Sequence, residues 1–327
     1  MKVQHGGLEA AAPSAAGSPG SAAAAVHVCV NEERLRLFSY LGFVGVVLCG
    51  VVLTKAGGDV DMETTLLKRM YGYNNVCVYF DYAPATYVLP VLWAAELVLF
   101  VDFLQASLLR YRTDVAAGRM TPRMAAACSA LVRFTLAGAI VFSLIFALKY
   151  DTHNAREERG LMILHTVPFF VLQLALCSLA VSATVHGVAS GYWTRCGMPA
   201  WAQRSAYAYC AALVAICTYK IAYCVYCWTE FPVVDGATYE LVGTTKTVDA
   251  DTLAFNDLPS GLTSFSTLVD TLFLIFALAI PFGKTVWLLY FSKGGKDASG
   301  LYMTVRSSMD ADAAQKAAAD ESLGVVC

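Results

Sequence analysis

This sequence has little charge and little histidine, and it lacks the short motifs of common enzymes and channels. Charged residues make up 15% of its 327 residues, and it has 5 histidines. No Gly-x-Ser-x-Gly elbow, no phosphate-binding Gly-x-x-x-x-Gly-Lys-Ser/Thr loop and no Thr-Val-Gly-Tyr-Gly filter occurs. No two histidines have metal-ligand spacing. The sequence therefore predicts a protein that is not an enzyme and has no metal and no cofactor.

The net charge of -2 offers no basic field, so a nucleic-acid partner is not expected. The Ala-, Gly- and Ser-rich start of the chain lacks the Leu- and Val-rich core of a signal peptide. We expect residues 1–36 to be a disordered cytosolic tail.

Six long apolar runs dominate the chain. They lie near residues 37–54, 87–108, 126–148, 162–187, 206–228 and 264–291. Each is about as long as the roughly 20 residues that a helix needs to cross the hydrocarbon core. Backbone polar groups inside a membrane must be paired internally, and without a barrel pattern this requires helices. The sequence predicts an all-α, polytopic integral membrane protein, a six-helix transmembrane bundle over residues 37–291.

Arginine clustering predicts the orientation of the bundle. The loop between the second and third runs carries Arg110, Arg112, Arg119 and Arg123. Short cytosolic loops are enriched in Lys and Arg, so both termini, including the tail at 292–327, are expected in the cytosol. The membrane is the plasma membrane or an endomembrane.

Two long loops are expected on the opposite side, and each contains a stretch that allows a short hairpin or strand pair. The loops are interpreted either as an irregular cap over the helix ends or as a lid that receives a ligand. Residues 71–84 are rich in Tyr and Val, and residues 238–248 in Thr and Val. Cys77 lies in the first of these loops. It is a candidate for a disulfide with Cys224 or Cys227, which are near the same face.

Charged residues deep inside a membrane are costly and therefore indicate functional sites. At about 1.5 Å of rise per residue, Glu96, Lys220 and Asp270 lie roughly 9–13 Å below the outer surface. We expect these three residues, on the second, fifth and sixth runs, to form one polar substrate-binding layer. Asp102 and Arg133 lie at a second shared depth, where a structural ion pair between adjacent helices is expected.

The fourth and fifth runs carry stripes at helical spacing. His165 and Gln173 belong to the first stripe and are further candidates for substrate binding. The second stripe consists mostly of small residues, which favours close helix packing. Its members are Ala206, Cys210, Leu213, Cys217, Lys220, Cys224 and Cys227. Cu(I) binding by the thiols and a redox pair at Cys224 and Cys227 are alternatives.

The layout of six runs, Cys77 in the first loop and His165 at the start of the fourth run resembles that of autophagy-modulator membrane proteins. The sixth run lacks the Glu-Trp pair of that group.

The leading hypothesis for function is a transporter or channel with an intramembrane polar site. One alternative is a structural or regulatory membrane protein that binds partners or lipids through its loops. Another is a thiol-redox membrane enzyme. Expected partners are the lipid bilayer and a small polar solute or ion, and the sequence also allows a homo-oligomer.

Overall fold

The structure is a computed structural model that describes residues 26–57, 61–62, 65–147, 155–230, 238–241, 244–247, 259–292 and 300–305. In chain order its helices are α1 (Glu32–Gly57), α2 (Leu66–Tyr71), α3 (Val78–Asp81), α4 (Ala85–Ala116), α5 (Pro122–Phe142), α6 (Ala155–Ala189), α7 (Tyr192–Arg195), α8 (Ala200–Glu230), α9 (Ser260–Leu274) and α10 (Ile280–Tyr290). A 3-10 turn at Ser143–Ala147 extends α5, and a π-helical turn at Ile275–Ala279 joins α9 to α10.

Six helical segments in the described part of the chain are long and apolar enough to cross a membrane. They are α1, α4, α5 with its 3-10 turn, α6, α8, and the continuous unit of α9, the π turn and α10. The protein is an all-α, multi-pass membrane protein, as its sequence predicts. The helices extend beyond the apolar runs, and α4 continues from Ala85 to Ala116.

Local sequence accounts for where several helices start and stop. The Asn31 side chain accepts a hydrogen bond of 3.0 Å from the Arg34 amide and caps the start of α1. Thr121 caps α5 in the same way, with Pro122 at the first helical position. After α4 the chain turns at Gly118, whose φ of 68° suits a residue without a side chain.

The sixth span is irregular near its middle. The π-helical turn at Ile275–Ala279 is followed directly by Ile280 and Pro281. Proline has no amide hydrogen and its ring displaces the carbonyl four residues earlier, here that of Ala277. A π turn just before a proline is a common way for a helix to absorb that disturbance, and it marks a point where the helix can bend.

The strand before α1 and the strand after α10 meet at one end of the bundle. Strand β1 (Val26–Asn31) pairs antiparallel with strand β4 (Gly300–Val305). Residues 26–36, predicted to be disordered, therefore form a strand and the first turn of α1, which begins at Glu32. We call this the terminal end, and the end that carries α2 and α3 the loop end.

The two long loops differ from each other. Strand β2 (Thr238–Leu241) pairs antiparallel with β3 (Thr244–Thr247), which confirms the predicted strand pair in the third loop. The first loop forms the short helices α2 and α3 where a hairpin was expected. Thr65 caps α2 and Gly72, with a φ of 77°, ends it, so local capping favours a helix over a strand there.

Packing order determines which side chains can meet. The most extensive contacts join α5 to α6 and α1 to α4, and α4 also packs on α5. On the other side α8 lies between α6 and α9, while α10 returns to α1. The helix α4 is thus a neighbour of α1 and α5, and the pair α8–α9 lies across the bundle from it.

Candidate functional site

A small cavity near the loop end brings together most of the polar residues predicted to bind a substrate. It has a volume of about 80 Å³, which is room for several water molecules. Its lining includes His165 and Gln173 of α6, Lys220 and Cys224 of α8, Asp270 of α9 and Cys77 of the first loop. We call it the polar cavity.

Lys220 and Asp270 form an ion pair in the wall of this cavity. The Lys220 Nζ donates to Asp270 Oδ1, and each side chain is 12% exposed. The same Nζ lies 4.6 Å from the centre of the Phe273 ring, close enough for a cation–π contact. Opposite charges and an aromatic face offset the cost of desolvating the ammonium, which is how an ionised lysine is accommodated at this depth.

Gln173 presents an unused hydrogen-bond acceptor. The residue is 7% exposed, and its Oε1 has no hydrogen-bond partner within the described residues. A buried amide oxygen without a partner costs on the order of 1–3 kcal/mol, so a ligand or water that donates to it is favoured. Gln173 lies on the same wall as His165, two helical turns away on α6.

The first loop closes the loop end of the cavity and is held to the spans by hydrogen bonds. The Tyr71 hydroxyl bonds to that of Thr166 at 2.8 Å and accepts from the Trp228 indole at 2.9 Å. The Tyr223 hydroxyl donates to the Tyr71 carbonyl at 2.8 Å. These bonds tie α2 to both α6 and α8, so the loop is an ordered cover.

His165 contacts a carboxyl that sequence reasoning missed. Its Nε2 lies 3.3 Å from Asp81 Oδ1, and both side chains are at most 5% exposed. Burial raises the pKa of the Asp81 carboxyl well above its usual range. Asp81 was overlooked because it stands in a loop segment, where a carboxylate is ordinarily solvated. Its place in the Tyr-rich stretch at 71–84 was the one available signal.

Glu96 does not join the polar cavity, which corrects the predicted three-residue layer. It is 3% exposed, and its Oε1 accepts a hydrogen bond of 2.8 Å from Ser39 of α1. Its Oε2 has no partner among the side chains and backbone that the structure describes. The depth estimate placed Glu96 level with Lys220 and Asp270, but α4 packs on α1 and α5, away from α8 and α9.

Asp102 and Arg133 do not form the predicted ion pair. Their helices, α4 and α5, are adjacent, but both side chains are exposed on the outside of the bundle. No salt bridge joins them in the described structure, where the buried faces of these helices carry other residues. The ion pair was predicted from helical rise alone, and helical rise does not determine which way two side chains face.

The cysteines near the polar cavity are free thiols. Each of the nine cysteines whose side chains the structure describes is unpaired, including Cys77, Cys224 and Cys227. Burial, with Asp81 as a smaller cause, holds the pKa of the Cys77 thiol well above its usual range. A protonated, buried thiol is a poor nucleophile for disulfide exchange. Within the described residues no three His, Cys, Asp or Glu side chains are grouped to hold a metal.

The stripe of small residues on α8 packs closely, as predicted, and its partner is α6. Cys177 and Cys217 face each other with their sulfurs 3.2 Å apart, and Leu213 and Cys217 are each 1% exposed. Together with Leu176 and with Ala277 of the π turn they form a tight apolar cluster, which we call the middle layer. Along α6, α8 and the sixth span alike, this layer lies between the polar cavity and the terminal end.

The terminal end holds a network of buried charges that the sequence analysis did not identify. Arg36 donates to Glu33 at 2.8 and 2.9 Å and to Glu32 at 2.9 Å. Arg110 of α4 reaches Glu32 at 3.3 Å, and the Tyr192 hydroxyl donates to Glu33 at 3.2 Å. This terminal ion network joins α1, α4 and α7. Its sequence signal was the Glu-Glu-x-x-Arg spacing, which places all three side chains on neighbouring turns.

Asp114 of α4, beside the terminal ion network, makes three contacts. Its Oδ1 accepts from Arg119 at 2.6 Å and from Arg195 at 3.5 Å, and its Oδ2 lies 2.6 Å from His186 Nε2. Arg119, one of the arginines expected to be a loop charge, is thus paired with Asp114, and Asp114 also connects α4 with α6 through His186 and with α7 through Arg195.

Comparisons of the chain with protein-family models, with curated proteins and with solved structures find no match. The assignment of function therefore rests on the geometry of the cavity and its surroundings. That geometry offers an ammonium, a carboxylate and an amide around a small volume inside the bundle, closed by the first loop on one side and by the middle layer on the other.

Proposed function

We propose that this multi-pass membrane protein is of transporter or channel type and that its polar cavity binds a small polar solute or an ion. The observation that carries the proposal is the convergence of Lys220, Asp270 and Gln173 from three different spans on one cavity of about 80 Å³. An intramembrane cavity with ionisable walls is costly to maintain, and such sites mark ion or solute pathways.

Lys220 and Asp270 are suited to exchange partners with a bound solute. The two side chains form an ion pair with each other, so neither charge is left unpaired when the solute leaves. A bound anion would pair with Lys220 in place of Asp270, and a bound cation would pair with Asp270 in place of Lys220. The unpaired Oε1 of Gln173 supplies an acceptor for a hydrogen on the solute.

The middle layer supports the proposal because it blocks a continuous path. Leu213 and Cys217 of α8 and Ala277 of the sixth span pack with Cys177 just beyond Lys220 and Asp270 toward the terminal end. The π turn at Ile275–Ala279 and Pro281 lie at the same level of the sixth span. Bending there would move Ala277 away from α8, and this is the kind of hinge that gating requires.

The test is flux through vesicles that contain the purified protein. We expect the wild type to carry protons, Na⁺, K⁺ or Cl⁻ above the rate of protein-free vesicles. Lys220→Met removes the cavity's ammonium and should lower that flux by about tenfold or more. Lys55→Met, at an exposed position on α1, is the matched control and should leave flux unchanged.

Two results would count against the proposal. One is a wild-type protein that carries none of these ions faster than empty vesicles do. The other is a Lys220→Met variant that folds and conducts like the wild type, which would remove the polar cavity from the pathway.

A further inference from the structure

A second cavity lies at the terminal end, beyond the middle layer. Its volume is about 370 Å³, within the roughly 300–1,000 Å³ typical of small-molecule sites. We call it the terminal cleft. Its apolar wall is formed chiefly by Phe103, Leu179, Trp193, Met198, Trp201 and Trp287. An occupant of this cleft must therefore be largely apolar.

The terminal cleft opens sideways onto the surface of the bundle. Trp201 at the start of α8 is 73% exposed and Ile280 at the start of α10 is 42% exposed, and both line the cleft. The helix α8 packs along α9 and the π turn but has few contacts with α10. Because these helices belong to spans that are long and apolar enough to cross a membrane, we infer that the opening faces the bilayer.

The cleft is also positively charged. Of the described residues that line it, Arg36 and Lys284 are cationic and none is acidic. The Lys284 Nζ lies 5.3 Å from the centre of the Trp193 ring. The charges of Glu32 and Glu33 also act on Lys284, but both carboxylates are bonded to Arg36, and Glu32 is bonded to Arg110 as well. Two carboxylates and three cations leave one excess positive charge beside the apolar slot, which an anion would compensate.

We propose that the terminal cleft binds an anionic glycerophospholipid, with an acyl chain in the apolar slot and the headgroup phosphate against Lys284. A neutral amphiphile would fill the slot but leave the excess positive charge of Lys284 and its neighbours uncompensated, at a desolvation cost that an anion lowers. A lipid can enter through the lateral opening without leaving the membrane. This site is separate from the polar cavity and does not depend on transport.

Tryptophan fluorescence can report on this site because three of the five tryptophans, Trp193, Trp201 and Trp287, line the cleft. The protein is placed in phosphatidylcholine vesicles with a minor fraction of lipid that carries brominated chains, which quench tryptophan on contact. We expect brominated phosphatidylglycerol to quench several-fold more efficiently than brominated phosphatidylcholine at equal fraction.

Two variants make the test specific. Lys284→Gln should reduce the preference for the anionic lipid to parity, whereas Lys55→Gln, at the far end of α1, should retain it. Ala202→Leu narrows the slot and should lower quenching by both lipids. The preference of the wild type for the anionic lipid is measured without any variant. The proposal can therefore be tested even if one variant folds poorly.

Equal quenching of the wild type by the two lipids would overturn the proposal. So would a preference that Lys284→Gln leaves intact, since the anion would then be recognised elsewhere. Loss of the preference on addition of inorganic phosphate would show that the site takes a free anion and not a lipid.

Discussion

Glu32 and Glu33 are buried at the start of α1 because Arg36 pairs with both carboxylates and Arg110 pairs with Glu32 as well. The exposed fractions are 2% for Glu32, 0% for Glu33 and 6% for Arg36. The remaining lone pairs of the carboxylates are used by Ser107 and Thr285, with hydrogen bonds of 2.9 and 3.2 Å. A buried ion pair is stabilising only when its other hydrogen-bonding positions are filled in this way.

Removing Arg36 should therefore be far more harmful than removing its neighbour Arg34. Arg36→Ala leaves two carboxylates buried with one remaining arginine, Arg110, and we expect a loss of about 3–5 kcal/mol of stability. Arg34 is exposed, and Arg34→Ala should cost about 0–1 kcal/mol. Thermal unfolding of the two variants in detergent gives the comparison. Equal melting temperatures would mean that the terminal ion network does not stabilise the fold.

At the scale of helices, close approach depends on small residues at the crossing points. Gly138 of α5 faces Ala175 of α6, and Thr135 donates a hydrogen bond of 3.0 Å to the Ala175 carbonyl. A Cβ at Gly138 would lie 2.5 Å from the Ala175 Cβ and 3.2 Å from the Val171 carbonyl oxygen. The α5–α6 contact, one of the most extensive in the bundle, thus has no room for an added methyl group.

Gly138→Ala should push α5 from α6 and destabilise the protein by about 1–3 kcal/mol. Gly45→Ala on α1 is the control, because a Cβ there meets no atom within 4 Å. Alanine is the better helix former by up to about 1 kcal/mol, so this control should be neutral or slightly stabilising. If Gly138→Ala unfolds at the same temperature as Gly45→Ala, the two helices are less closely packed than described.

At the scale of the whole molecule, the β1–β4 ladder holds β1, which precedes α1, and β4, which follows α10, at one end of the bundle. The Arg-bearing turn between α4 and α5 is at the same end, since α4 starts at the loop end and runs the full length of the bundle. Of its arginines, Arg112 and Arg123 are exposed, whereas Arg110 and Arg119 are engaged with Glu32 and Asp114.

Epitope tags on the two termini should therefore be accessible together. We expect both to be hidden in intact cells and exposed once the plasma membrane alone is permeabilised, since the arginine cluster predicts cytosolic ends. Tags on opposite sides would contradict the fold. Tags that are both reachable from outside would contradict the orientation and leave the fold intact.

Much of the architecture was predictable because membrane spans are determined locally. Apolar length predicts the six helices and their order, and the small-residue stripe on α8 predicts close helix packing, with α6 as the partner that the structure adds. Helix ends were less predictable. Glu32 and Glu33 look like the end of a span on any hydropathy scale, and they belong to α1 because they are neutralised by Arg36 and by Arg110 from another helix.

In the candidate site, too, some features follow from the sequence of each helix and others depend on how the helices pack. Helical rise along each run was enough to place Glu96, Lys220 and Asp270 at one depth, because depth depends on the number of residues from the helix end. Which of them meet depends on helix neighbours and rotation. Lys220 and Asp270 face each other across α8 and α9, while Glu96 faces Ser39 on α1.

The sequence by itself determined that this is a six-span helical membrane protein and which polar residues stand within its apolar runs. Only the tertiary structure decided that Lys220, Asp270, Gln173 and His165 share a cavity and that Asp102 and Arg133 face outward. The physical reason is that burial in lipid acts on each helix separately. The choice of neighbours depends on shape and pairing between residues far apart in the chain.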